Sequence, residues 1–291
     1  MKVAIFSRTP LAAAPWELYK ALKRYTSLDV NLVNNTNRYN DGRIFPHHLL
    51  FSSPNGHAMR VLQRSEVWHV HNYLTPQLIV LKRDHKVIAQ FHSLPRLGNW
   101  QALMDFADRS YTIKQPAQES EYKLKGLPNI INPDEYHPVR RCKPIKIAFA
   151  PSTHAPVGHP ASKGYNEVKV ILNNVARKKA VEIVWIEGRP YEVNLQMKQQ
   201  SHILIDDVVT GNWHRTSLEG ACFGCAILNK VMKTPFVYTT LETLEERLLW
   251  LVDNPEILND FQERSRSWVL QHWHAIDQVK EYVQAYKEIL Q

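Results

Sequence analysis

ILIDDVVTGNWHRTSLEGACFGCAIL, residues 203 to 228, decides how the chain is read. A short β-branched run, Ile203 to Ile205, meets two carboxylates, Asp206 and Asp207, and then a polar loop containing Gly211. A helix-length stretch follows, carrying Gly220, Ala221 and Gly224 before the apolar run resumes at Cys225. Strand, loop, helix and strand in that order form one crossover unit of a parallel sheet, and the small residues let the helix backbone lie close to it.

The same alternation extends in both directions. Upstream, KVAIFS, DVNLVN, EVWHVHNY, KVIAQFHS and RSYTIK read as strands, with WELYKALKRY, TPQLIVLKR, NWQALMDFA and PAQESEYKL as helices between most of them. The proline-rich LPNIINPDEYHPVRRCKP interrupts the rhythm and reads as an extended, exposed connection. Beyond it IKIAFAPS, VEIVWIEG, HILIDDV, CAILN and FVYTT alternate with KGYNEVKVILNNVARK, YEVNLQMKQQ and the helix carrying Glu219. From Leu241 to Gln291 the pattern is helical, broken near Asn254 and Pro255 and again near Trp273. Two α/β units in tandem are expected at residues 1–140 and 141–272, with 273–291 a helix packing back on the first.

A chain of 291 residues, 44% hydrophobic, can bury two ordinary cores. It carries no membrane-length apolar run and no disulfide framework, since it has three cysteines, which points to the cytosol. Up to Lys143 there are 20 Lys and Arg against 11 Asp and Glu, and after it 16 against 17, so the first half holds +9 and the second −1. The first half is therefore expected to meet an anion: a phosphorylated or lipid-linked substrate, a membrane surface or nucleic acid.

Ligands of such sheets bind at the carboxyl ends of the strands. Ser7 and Arg8, His71 and Asn72, His92 and Ser93, Ser152 to His154, Glu187 to Arg189, and Asp206 and Asp207 all follow strands directly. Their gathering at one edge weighs more than any one of them.

FAPSTHAPVGHPASKGYNEV, the 203–228 stretch and LVDNPEILNDFQERSRSWVLQHW together resemble the carboxyl-terminal domain of GT-B glycosyltransferases, family 4 above all. The resemblance implies two facing Rossmann-like domains, with a nucleotide-sugar donor on the second and the acceptor on the first. It implies that Glu219 accepts two hydrogen bonds from a ribose diol, and that amides at Thr216, Ser217 and Leu218, opening a helix, face phosphate. It also implies that Lys163 and Gly164 meet the departing diphosphate, where an ammonium stabilises growing negative charge. The family's usual upstream arginine is absent, leaving His154 or His159 to contribute, and Glu187 and Arg189 join the donor set. Many members carry a second glutamate eight positions before the first, where this chain has Gly211, so either its role passes to Asp206, Asp207, Asn212 or His214, or the donor is an unusual one.

On the acceptor side the resemblance selects His92, with His71 as rival, alongside Ser7 and Arg8. The place of the family's glycine-rich first loop holds Ala12, Ala13 and Ala14, which permit close approach but are not expected at positive φ. Cys222 and Cys225 read as buried packing, since no second pair completes a zinc site. No metal and no cofactor are expected beyond the nucleoside diphosphate sugar. The activity implied is transfer of a sugar, hexosyl in type and with retention, to an anionic acceptor such as a glycolipid precursor, a phosphorylated glycan or DNA. It is expected in the cytoplasm, with peripheral membrane contact through the basic first half. The alternatives are a glycosyltransferase acting on a modified base of duplex DNA and a non-catalytic sugar-nucleotide or nucleic-acid binding protein.

Overall fold

A computed structural model describes residues 1–39, 43–52, 56–93, 100–151, 153–159, 161–232 and 234–291, without the side chains of 116–118. The chain divides into two compact units, Met1–Asn132 with Ala275–Gln291, and Pro133–His274.

Among the described residues of the first unit seven strands run parallel: β1 (Lys2–Ser7), β2 (Asp29–Asn34), β3 (Leu49–Leu50), β4 (Val67–His71), β5 (Lys86–Phe91), β6 (Arg109–Ile113) and β7 (Gly126–Leu127). Their order is β3-β2-β1-β4-β5-β6-β7, so the chain steps outward from β1 on both sides and reverses there. The strands are apolar at nearly every position because both faces are covered. One face presents Val3, Ile5, Val67 and Ile88 to Leu18 and Leu22 of helix α1 (Ala14–Tyr25). The other presents Ala4, Phe6, Trp68, Val70 and Val87 to Leu62 of α2 (His57–Arg64), Leu78 of α3 (Pro76–Leu81) and Leu103 of α4 (Gln101–Phe106). A further short helix, α5, spans Pro116–Tyr122.

The second unit holds β8 (Ile145–Phe149), β9 (Val181–Trp185), β10 (Ile203–Ile205), β11 (Ala226–Asn229) and β12 (Val237–Tyr238), parallel in the order β12-β11-β10-β8-β9. Its helices are α6 (Tyr165–Lys178), α7 (Tyr191–Gln199), α8 (Arg215–Cys222), α9 (Leu244–Asp253) and α10 (Pro255–His272). Ile147, Phe149, Ile205 and Leu228 pack with Val168 and Leu172 of α6 and Leu244 and Leu248 of α9. The last helix, α11 (Ala275–Leu290), returns to the first unit and buries Val279, Tyr282 and Tyr286 beside β1, β4 and β5.

Three elements carry too little pattern to be read from sequence: the two-residue strands β3 and β7, and α2. The connection differs from its expectation in its first part, while His137 to Arg140 and Cys142 to Pro144 are exposed as expected. Leu127 to Pro133 are buried rather than exposed. Arg141 ties the segment to the second unit, donating from Nε to the Gln199 carbonyl at 3.0 Å and from its Nη atoms to Gly224 at 2.8 Å and Phe223 at 2.6 Å.

The loop after β1 overturns a second expectation. Leu11, Ala12 and Ala13 all take positive φ, at 46°, 52° and 67°. A Cβ in that region costs about 1–2 kcal/mol per residue. Local bonds and packing offset the cost: the Ala12 amide donates to the Tyr39 hydroxyl at 2.6 Å, the Ala13 amide to the Pro10 carbonyl at 2.9 Å, and Ala13 and Ala14 are buried.

Candidate functional site

The carboxyl edge of the second sheet gathers a polar cluster. Gly164, at φ 71°, caps α6 and turns the chain so that Lys163 reaches inward to Asp206, just past β10. A Cβ on Gly164 would lie 2.9 Å from Cδ2 of Leu241, so the turn has room for glycine alone. Both members of the Lys163–Asp206 pair are buried, at 5% and 0% exposure. The second Asp206 oxygen accepts from the His214 amide at 2.8 Å and the Ser217 hydroxyl at 2.7 Å, and Asn229 at the end of β11 donates to that hydroxyl at 3.3 Å. Asp207 folds the following loop, accepting from the amides of Val209 and Thr210 and from the Thr210 hydroxyl. Its Oδ2 also lies 3.1 Å from Nε2 of His214, whose side chain is 36% exposed. The cluster thus offers a cation, a carboxylate and a partly open imidazole held by another carboxylate, the elements needed to bind an anion and orient a hydroxyl.

Glu219 stands in a separate buried network. Its Oε2 is 2.5 Å from Nζ of Lys198 on α7, and its Oε1 accepts from Tyr191 at 3.2 Å and from Arg215 at 3.3 and 3.2 Å. Ser217 and Glu219 leave α8 on different sides, so the structure joins Lys163 with Asp206 and Ser217 but not with Glu219. Of the amides expected to face phosphate, those of Ser217 and Leu218 already donate to the His214 carbonyl, and the Leu218 side chain belongs to the buried core. Gly220 behaves as its size suggests: a Cβ there would lie 2.4 Å from Leu204 Cδ2 and 2.7 Å from Ile227 Cδ1.

The remaining donor-side residues spread out. Glu187 pairs with Nε2 of His154 at 3.0 Å, and the His154 ring stacks on Tyr165 at 3.8 Å. Arg189 is exposed, Thr216 half-buried, Gly211 at φ 83° and Asn212 buried within the 210–214 loop. The His159 ring accepts from the Ala161 amide at 3.1 Å. Ser152 lies outside the described residues.

In the first unit, Ser7, Arg8, His71 and His92 meet at the carboxyl edge of neighbouring strands β1, β4 and β5. Ser7 is buried and donates to the Thr9 carbonyl, while the Arg8 guanidinium sits 5.5 Å from the Tyr73 ring centre. His71 and His92 are partners, Nδ1 to Nε2 at 2.7 Å. Asn72, at φ 61°, accepts the His92 amide at 2.7 Å and donates to Ser93 at 3.2 Å. A cavity of about 240 Å³, lined by Lys2, Asp29, His57, Arg60 and Arg64 among others, opens at the opposite edge, where β1 and β2 begin. Its position separates it from the polar strand ends.

Sequence reasoning missed Lys198, Tyr191 and Arg215 around Glu219. Arg215 and Glu219 are four apart on one helix, a spacing that pairs charges. Tyr191 and Lys198 are two turns apart on α7, hence on one face. Cys222 and Cys225 are buried, and burial pushes the Cys225 thiol up. Among the described residues no group of three or more His, Cys, Asp and Glu is placed to hold a metal ion, and no helix is long and apolar enough to cross a membrane.

Burial opposes ionisation of Asp206, Asp207 and Glu219, yet each carboxyl is held below its usual value. Lys163 does this chiefly for Asp206, hydrogen bonding with His214 for Asp207, and Lys198 and then Arg215 for Glu219. A carboxylate whose folded pKa is depressed contributes stability that is complete above its unfolded value and disappears as pH falls through the folded one. Urea unfolding is therefore expected to show stability falling first below about pH 6.5, where the unfolded chain protonates histidines that stay neutral when folded, His69, His71 and His202, and falling further below about pH 4 as the unfolded carboxyls take up protons. The absence of any further decline below about pH 4 would show that these carboxylates are not ion-paired in solution.

No family model matches the chain, and no curated protein matches it in sequence. Solved structures do match. Sucrose-phosphate synthase from Thermosynechococcus elongatus has TM-score 0.66 at 9% identity, over 100% of this chain and 99% of that one. Anabaena HepE, solved in complex with UDP-glucose, has TM-score 0.65 at 9% identity, over 99% of this chain and 100% of that one. S. aureus MnaA, solved with UDP, has TM-score 0.54 at 12% identity, over 99% and 97%. Two parallel-sheet α/β units with a C-terminal helix, matched end to end in this way, give the chain a GT-B fold.

Proposed function

We propose that the protein is a glycosyltransferase that moves a sugar, hexosyl in type and with retention, from a nucleoside diphosphate donor to an anionic or membrane-associated acceptor. The observation that carries the reading is the convergence of Lys163, Asp206, Asp207, His214 and Ser217 at the strand ends of the second unit. Support comes from fold neighbours: HepE and MnaA were solved with UDP-glucose and UDP.

In this reading Lys163 and the amides opening α6 face the diphosphate, where a fixed ammonium lowers the cost of charge developing on the leaving group. His214, steadied by Asp207, meets a sugar hydroxyl in the place of the carboxylate missing at Gly211. Glu219 reaches a ribose only if Lys198 or Arg215 moves aside, since both its oxygens are engaged and it is 2% exposed. Its first effect is to hold α8 and the loop before it. His92 serves the acceptor, and the +9 of the first half draws an anionic one.

The test is turnover. UDP-, GDP- and ADP-sugars are incubated with water, glycolipid precursors or modified duplex DNA, and nucleotide release is measured over a range of salt. Release is expected with one donor class and an anionic acceptor, with salt raising the acceptor KM more than the donor KM because diffuse attraction is screened over about 10 Å at 0.1 M. Release only with duplex DNA selects the DNA-modifying reading. A nucleoside diphosphate at a hundredfold its Kd should stabilise the fold by about 2.7 kcal/mol; no stabilisation by any of them would sink the proposal.

A further inference from the structure

Within the first unit, buried side chains form a row from α11 to the carboxyl edge of the sheet. The Tyr286 hydroxyl lies 2.7 Å from Nδ1 of His69 in β4. Two residues on, and so on the same face of the strand, His71 stacks on His69 with ring centres 4.4 Å apart and planes 18° from parallel. His71 Nδ1 then meets Nε2 of His92 at 2.7 Å, just beyond β5. Beside the row, Gln90 donates to the Tyr282 hydroxyl at 3.0 Å, and Tyr282 donates to the Pro128 carbonyl at 2.6 Å.

A bond between two imidazoles needs one hydrogen and one lone pair, and a neutral ring has a single hydrogen. The tautomers of His71 and His92 are therefore locked together. If His71 donates from Nδ1, His92 accepts at Nε2 and carries its own hydrogen on Nδ1. If His92 donates from Nε2, its Nδ1 is a base. The titratable groups facing His71 are His69 on its own strand and His92 beyond β5, with Tyr282 and Tyr286 of α11 around His69. Burial first, and the neighbouring histidines next, hold His71 well below its ordinary value, and burial takes His69 down to about 3, so both stay neutral where proteins function.

We propose that His71 is a positioning residue that fixes the tautomer of His92, and that Tyr286 of α11 holds it in that role through His69. Its functional meaning rests on the reading of His92 as the acceptor-side group, but its geometry does not. The last helix of the chain thereby helps decide whether His92 offers a proton or takes one.

Ring nitrogen shifts of the histidines in the full-length protein, followed by NMR across pH, test this apart from activity. His71→Leu is expected to move the His92 titration midpoint by about half a unit or more, the scale of one lost hydrogen bond. A downward move means that His71 accepts from His92 and supports its charged form; an upward move means that it donates. His71→Gln, which keeps a polar partner, is expected to recover part of the shift. Tyr286→Phe, removing one oxygen, should move His92 in the same direction by less, with the fold retained by circular dichroism. An unmoved His92 in His71→Leu overturns the positioning role, and an unmoved His92 in Tyr286→Phe overturns the part given to α11. These shifts in a protein that transfers no sugar would remove the functional reading and leave the tautomer coupling in place.

Discussion

Lys163→Met is expected to lower folding stability by about 3–5 kcal/mol in urea unfolding at neutral pH, because it leaves a buried carboxylate without its cation. Asp206 is 0% exposed, and among the described residues the His214 amide and Ser217 hydroxyl remain as its side-chain partners. Methionine keeps the length and the apolar stem, so the loss reads the charge rather than a cavity. Adding Asp206→Asn to Lys163→Met should recover much of the loss, since both charges are then gone and the two effects are coupled. A single variant within about 1 kcal/mol of wild type would mean that the ammonium leaves Asp206 in solution. Where the folded variant is obtained, uridine should bind nearly as well as before and uridine diphosphate less well. Equal losses for the two would separate Lys163 from the diphosphate.

Glu219→Gln is expected to cost a further sum of similar size, about 3 kcal/mol or more, because two cations would then share a neutral amide. Lys198 and Arg215 are 4% and 6% exposed, so water cannot take the place of the lost charge. The pH profile should change with it: the variant lacks one depressed carboxylate and loses less stability on acidification below about pH 4. A variant as stable as wild type would show that the Lys198 and Arg215 bonds exchange with solvent. Calorimetry on the folded variant settles the second question. A loss of about 1.5–3 kcal/mol in nucleotide affinity supports a charge-assisted bond to ribose, and an unchanged affinity leaves Glu219 with the task of holding α8.

Much of the fold was legible from residues 203 to 228 outward. Ile203 to Ile205 and Ala226 to Asn229 are strands, Arg215 to Cys222 is the helix, and Gly220 sits where any side chain would strike Leu204. The candidate site was legible in membership more than in pairing. Asp206, Asp207 and His214 follow one strand and were read together, but the partner of each was not. The expectation for Ala12 and Ala13 failed because local preference forbids what a hydroxyl from Tyr39 at the Ala12 amide and burial of the Ala13 methyl can impose.

The sequence by itself determined the alternation of strands and helices, the repeat of an α/β unit, the concentration of positive charge in the first half and the small residues under α8. These depend on neighbours two to four positions apart, or on counts, and such relations survive without a fold. Only the tertiary structure decided that Lys163 meets Asp206 across 43 residues, Lys198 meets Glu219 across 21, and His69 meets Tyr286 across 217. Strand order sets which chain segments become adjacent, and β1 lies beside β4 rather than β3. Once side chains are buried, a charge or ring nitrogen must find its partner among whatever the topology has brought there, because an unpaired one is too costly to keep.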